Sequence, residues 1–336
     1  MSLYTAETRR LAKRRFVKLL VIGTFAILAA VAAGMYFTNH KVGPAQITEA
    51  RAAADRDFQE QTRQVALEKQ RCEAAAGTPD AANYPPDCSQ LGTPTREDFD
   101  PQWYMPSSFD FRQDFGPMVT TLAALLALMA FVIGASFVGA EWHSGGMMNL
   151  LLWRPQRLRV LNTKLLAVLV GLTALTAVTA AAWTGLFTVI ARQRGSLNGM
   201  TAGAWRSFGL MELRALALVL VAGAVGFGLA SIGRHTAMAL GVAIAVVVLL
   251  QFGLGAVLSL ANVKFFQAYL IPIWIAAWME KSVRLENSEA CNFSASSGCQ
   301  PDILTLTWPM AGGLLAAVFV AVVGAAMWTM RTRDIT

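Results

Sequence analysis

The chain has 336 residues, 55% hydrophobic and 15% charged, with a mean hydropathy of +0.47. A soluble chain carries about a quarter charged residues, and a fold of this length lacks the interior to hide so much apolar side chain. The net charge is +7, but the excess basic residues abut apolar runs with no aromatic-basic groove motif, so no nucleic-acid partner is expected.

Residues 1–18 carry Arg9, Arg10, Lys13, Arg14, Arg15 and Lys18 against one acid, Glu7. Charge then disappears over 19–37, the first of six uninterrupted charge-free runs; the others are 115–140, 165–191, 215–233, 236–263 and 303–330. A helix rising about 1.5 Å per residue needs roughly 20 residues to cross about 30 Å of hydrocarbon, and each run has at least 19. The runs are continuously apolar, whereas strands of a membrane barrel alternate over about ten residues. The fold class expected is therefore an all-α polytopic membrane protein with six transmembrane helices. The first run has full spanning length and no small-residue cleavage site, which predicts a first helix and not a signal peptide.

The segment 38–114 is the longest polar stretch. From Pro44 to about Ala76 it is rich in Ala, Gln, Glu and Arg without an internal proline, which predicts an exposed helix stopping at Gly77. Phe58, Val65 and Leu67 are too few for a wide apolar stripe. Prolines at 79, 85, 86, 94, 101 and 106 then predict a turn-rich strap. Cys72 and Cys88 fall here, while Cys291 and Cys299 fall in 264–302. Two local disulfides are the natural pairing, although four cysteines allow three connectivities. No metal site is expected, since the spacings are too wide and His40 is remote.

A seventh charge-free run, 265–279, has only 15 residues and contains Pro272, so it reads as a re-entrant or interfacial segment with Tyr269, Trp274 and Trp278 at headgroup level. Six crossings group 1–18, 141–164, Arg234 and the tail 331–336 on one side. That side holds thirteen basic residues against Glu7, Glu141 and Asp334. Basic loops stay in the cytoplasm, which predicts both termini inside and 38–114, 192–214 and 264–302 outside. All four cysteines then face the oxidising side. The segment 192–214, with Arg192, Arg194, Arg206 and Arg214 against Glu212, fits the rule badly unless it pairs with anionic lipid.

The motifs of independent chemistry are missing. No G-x-x-x-x-G-K-[ST], H-E-x-x-H or G-x-S-x-G occurs, so neither a nucleotide cradle nor hydrolytic catalysis is expected in this chain. The six runs contain no carboxylate or lysine, which weakens an ion-coupled pathway.

Between the second and third runs, Glu141 at a membrane end is followed by Gly145 and Gly146, a short apolar stretch with Met148, Leu151 and Leu152, a stop at Pro155, then Arg157 and Lys164. A short apolar helix on a polar face needs a partner groove or the lipid surface. This pattern resembles the ABC type-2 exporter permeases, in which an acid, glycine, leucine pair, proline, arginine and lysine join the second and third helices; Met147 stands where the family has threonine. The resemblance implies a permease subunit of a bacterial plasma membrane, paired with a second permease copy or a homologous one. Separate ATPase subunits would carry ATP and Mg, with no cofactor in this chain. It also implies that 142–153 is a coupling helix seated in an ATPase groove and that 2–18 is an amphipathic helix among anionic headgroups.

The substrate path is marked less clearly. Thr120, Thr121, Ser136, Gln251 and Asn262, with Phe131, Phe137 and Phe252, would line an apolar cleft. Small residues Ala222, Ala224, Gly226, Gly228 and Ala230 read as helix-packing positions. The expected substrate is hydrophobic or amphipathic: a drug, a peptide antibiotic or a lipid. The rival readings are an ion-coupled secondary transporter and a membrane-anchored outer binding module.

Overall fold

The computed structural model describes residues 3–153, 156–287 and 302–332. The described chain divides into two compact units, one of Met1–Ala32, Arg112–Phe187 and Gly199–Thr336, the other of Ala33–Phe111 and Thr188–Asn198.

Among the described residues, six apolar helical stretches have spanning length. They are α2 (Arg15–Thr38), α4 (Phe111–His143), α6 (Arg157–Arg194), α7 (Ala202–Gly233), the composite Thr236–Leu260 and α11 (Trp308–Thr332). In the first unit α4 and α7 form the centre. Within α4, 67% of the apolar stretch is buried, against 6% in Thr236–Leu260. Close approach depends on missing side chains. A Cβ at Gly134 would fall 2.1 Å from the Gly223 carbonyl oxygen, and one at Gly226 would fall 2.1 Å from that of Phe131. Gly228 likewise faces Val322 of α11. The small residues of α7 thus let backbones meet where a bilayer offers little hydrophobic drive between helices.

Several boundaries differ from those expected. The N-terminal helix α1 (Leu3–Lys13) stops one residue before Arg14, and α2 begins at Arg15, inside the stretch read as a single amphipathic helix. The 192–214 segment is mostly helix: α6 runs to Arg194 and α7 starts at Ala202, capped by the Thr201 hydroxyl accepting from the Ala204 N–H at 3.3 Å. Long helices carry charge past the membrane edge, which a charge-free run cannot register. The fifth span is α8 (Thr236–Val246), a wide π segment (Val247–Leu254) and α9 (Gly255–Leu260).

The last charge-free run begins as a strand. Its first residues belong to β4 (Asp302–Thr307), antiparallel to β3 (Ser282–Asn287), with Leu285 opposite Leu304. Alternation buries Leu285 and Leu306 with Ala277 and Ala311. The ten-residue helix α10 (Ile271–Glu280) precedes β3 and is too short to span. Pro272 lies in its first turn, not its middle, so no helical hydrogen bond is lost. Cys291 and Cys299 lie outside the described residues.

In the second unit α3 (Pro44–Ala75) ends before Gly77, whose φ is +82°. Alanines provide the buried stripe that the few large residues could not: Ala50, Ala54 and Ala75 are buried with Cys72. Four short 3-10 turns between Pro79 and Tyr104 form the strap. It is fixed by the Cys72–Cys88 disulfide, by Arg96 on Asp55 at 2.9 Å and by the edge-on Phe58–Phe99 pair. A parallel pair, β1 (Phe109–Asp110) with β2 (Gly195–Ser196), completes this unit.

Candidate coupling site

Glu141 lies near the end of α4, and the chain turns sharply just beyond it. Gly145 takes φ +71°, a left-handed conformation available cheaply only to glycine. The Gly145 amide donates to the Trp142 carbonyl at 3.2 Å. After this break comes α5 (Gly146–Trp153), shorter than the coupling helix expected over 142–153. Met147 is buried, whereas Met148 is exposed and Leu152 is 82% exposed. Leu151 lies within α5; Pro155 falls outside the described residues, and Arg157 opens α6.

Glu141 and Lys164 come together although 23 positions separate them in the sequence. Lys164 Nζ lies 2.6 Å from Glu141 Oε2 and 2.8 Å from Glu7 Oε2, with the Lys164 and Glu7 side chains only 0% and 1% exposed. Removing such ions from water costs several kcal/mol each, so the arrangement holds only because opposite charges face each other at contact distance. Arg14 supplies a second cation: Nη2 donates to Glu141 Oε1 at 3.3 Å and Nη1 to the Ser136 carbonyl at 3.0 Å. Its guanidinium and the Lys164 ammonium both lie over the Phe137 ring, at 4.9 and 5.5 Å from the centroid. Burial pulls Arg14 below its ordinary pKa, and the Glu141 carboxylate opposes that shift.

Helix α1 grips α6 at two points. Glu7 reaches Lys164, and one turn later Leu11 fills the notch at Gly171, where an added Cβ would meet it at 2.9 Å. The α7–α8 turn docks on the end of α4. Gly139 leaves room for Thr236, and the Arg234 guanidinium stacks 5.1 Å from the Trp142 ring centroid. His143 and His235 meet edge-on at 5.0 Å. Helices α1, α4 and α6 and the α7–α8 turn thus converge where α5 leaves the bundle.

The residues expected to line a substrate cleft are spread through the chain. Thr120 and Thr121 hydroxyls donate back to the Gly116 and Pro117 carbonyls, and Ser136 to Ile133. Phe131 packs its backbone on Gly226. Phe137 belongs to the ionic cluster. Phe252 is 68% exposed on the π segment, where Gln251 Oε1 is buried without a hydrogen-bond partner among the described residues. Glu7 was missed as a site residue; the available signal was one carboxylate among six cations.

The family model described as ABC-2 family transporter protein matches residues 3–327. The chain belongs to this family. It is a multi-pass membrane permease subunit of an ABC transporter, and ABC-2 permeases work with ABC ATPase subunits. No curated protein matches the sequence. In this ABC-2 permease the joint between α4 and α6, identified above by geometry, coincides with the segment whose sequence resembles the family pattern.

Proposed function

We propose that this permease moves a hydrophobic or amphipathic compound outward across a bacterial plasma membrane, and that α5 is the element through which a separate ATPase drives it. The carrying observation is the buried Glu7–Lys164–Glu141 cluster. It ties α1, α4 and α6 together beside the exposed apolar α5, so a displacement of α5 is passed to two spanning helices as a rigid unit and not absorbed by a loop. An ATPase dimer that closes on ATP would thereby bias the permease between two arrangements. Glu141, Gly145, Gly146, Met148, Leu151, Leu152, Pro155, Arg157 and Lys164 form this linkage, with a second permease copy or a homologue completing the path. A hydrophobic or amphipathic cargo suits the apolar character of the spans, whose charge lies at their ends.

Leu152 provides the test because it is exposed on α5 and its replacement disturbs no core packing. Leu152→Asp is expected to weaken retention of the ATPase subunit on the purified permease by about tenfold or more, as loss of an apolar anchor costs about 2 kcal/mol at a hot spot. The permease's own melting temperature should stay unchanged. Equal retention by the variant would defeat the assignment of α5.

A further inference from the structure

Arg214 of α7 is held against α10 by its hydrogen bonds. Its Nη1 donates to the Trp278 carbonyl at 3.1 Å and to that of Met279, and its Nε donates to the Leu210 carbonyl at 3.3 Å. The guanidinium thereby caps the last turn of α10, where carbonyls without helical partners favour a cation. Carbonyls occupy donors but cancel no charge, and Nη2 donates to no group among the described residues. Trp278 Nε1 donates in return to the Arg214 carbonyl at 2.8 Å, and the Trp308 amide donates to the Lys281 carbonyl at 2.8 Å. These bonds hold α7, α10 and α11 around a cleft of about 380 Å³, walled by Leu210, Leu213 and Ala217 with the Trp278 and Trp308 rings. That volume is in the range of small-ligand pockets. The charged groups lining the cleft are Arg214 and Lys281, and neither has an ion-pair partner among the described residues.

The cleft is polarised along α7. Residues 210, 213, 214 and 217 recur at the spacing of one helix face. Arg214 stands just before the charge-free run that opens at Ala215, and Ala217 lies inside that run. One end is therefore cationic at a membrane edge, and the other is apolar. An amphiphile with a cationic head would meet two like charges, and a neutral one would leave both unbalanced. We propose that this cleft binds an amphipathic organic anion, with its head on Arg214 and Lys281 and its apolar body against the tryptophans. The free Nη2 donors and the lysine ammonium supply charge-assisted hydrogen bonds to the head. Calling this anion a cargo rests on the transport reading above, which it narrows from amphipathic compounds to anionic ones.

The full-length permease in phosphatidylcholine nanodiscs, exposed to decyl sulfonate carrying a diazirine on its chain, is the test system. Adducts are expected on Leu210, Leu213, Trp278 and Trp308, with far fewer from the matched decyl alcohol or decyl trimethylammonium. Arg214 also caps α10, so the exposed Lys281 is the residue to change. Lys281→Gln should lower labelling about three- to fivefold, the reach of one exposed ion pair, and Lys281→Arg should retain it. Leu213→Trp, at a position 60% exposed, should fill the cleft and abolish labelling of Trp278 and Trp308. Equal labelling by the three probes, or undiminished labelling of both Lys281→Gln and Leu213→Trp, would overturn the site. Displacement of the probe by phosphatidylglycerol at equal mole fraction would overturn its assignment to a transported anion. In vesicles holding the permease with its ATPase, ATP-driven export of the sulfonate should fall in Leu213→Trp. Export undiminished in that variant would defeat the cargo role of the cleft alone, whereas export of none of the three probes by the unaltered protein would defeat the transport reading.

Discussion

Lys164 is fully buried, so its charge is balanced by Glu7 and Glu141 and not by bulk solvent. Replacing it with methionine keeps most of the volume but leaves two carboxylates buried against each other. Lys164→Met is therefore expected to cost about 3–5 kcal/mol, the range for removing one partner of a buried ion pair, measured by melting in one fixed detergent. Adding Glu7→Gln removes one of the stranded charges, so the double variant should be less damaged than the sum of the two single ones. Additive losses would mean that Glu7 and Lys164 do not act as a pair. Glu141 retains Arg14 in either background.

At the scale of elements, the spans were legible because the bilayer demands a continuous apolar length, which composition records directly. Packing partners were only half legible: the small residues of α7 marked a close approach, but nothing marked that Gly226 meets Phe131 or that Gly134 meets Gly223. The β3–β4 hairpin was hidden since Ile303-Leu304-Thr305-Leu306-Thr307 is uncharged and merges with the apolar α11 that follows; its period of two became telling only with β3 opposite. Gly226→Ala tests the approach. Its new methyl would lie 2.1 Å from a backbone oxygen, a contact that no side-chain rotation relieves, so α4 and α7 must separate. The loss of packing should reach the upper part of the roughly 1–3 kcal/mol typical of overpacked cores. Gly241→Ala meets nothing within 4 Å and should leave melting unchanged or raise it slightly, as expected for alanine replacing glycine within a helix.

Across the whole molecule, the turn after Glu141 was readable because Glu141, the glycines and Lys164 fall within the single stretch that joins the second and third charge-free runs, whereas α1's contribution depends on a contact between residues 7 and 164 that no local pattern encodes. The structure also supplies a ruler. From Lys164 to Thr184 on α6 is about twenty residues, or about 30 Å of helix, and the Thr184 hydroxyl donates to Glu212 of α7. The ionic cluster and the Glu212 contact therefore stand about one hydrocarbon thickness apart, which puts Glu212 at the opposite membrane edge from Glu141 and not at the midplane where ion-coupled carboxylates are found. The thirteen basic residues counted on the Glu141 side predict that this edge faces the cytoplasm. In a background of Cys291→Ser and Cys299→Ser, with Cys72 and Cys88 joined in their disulfide, a membrane-impermeant maleimide should label Gln61→Cys on α3 in intact cells. It should label Ser144→Cys only after the membrane is opened. Labelling of Ser144→Cys from outside would reverse the orientation and place α5 beyond the reach of any cytoplasmic ATPase.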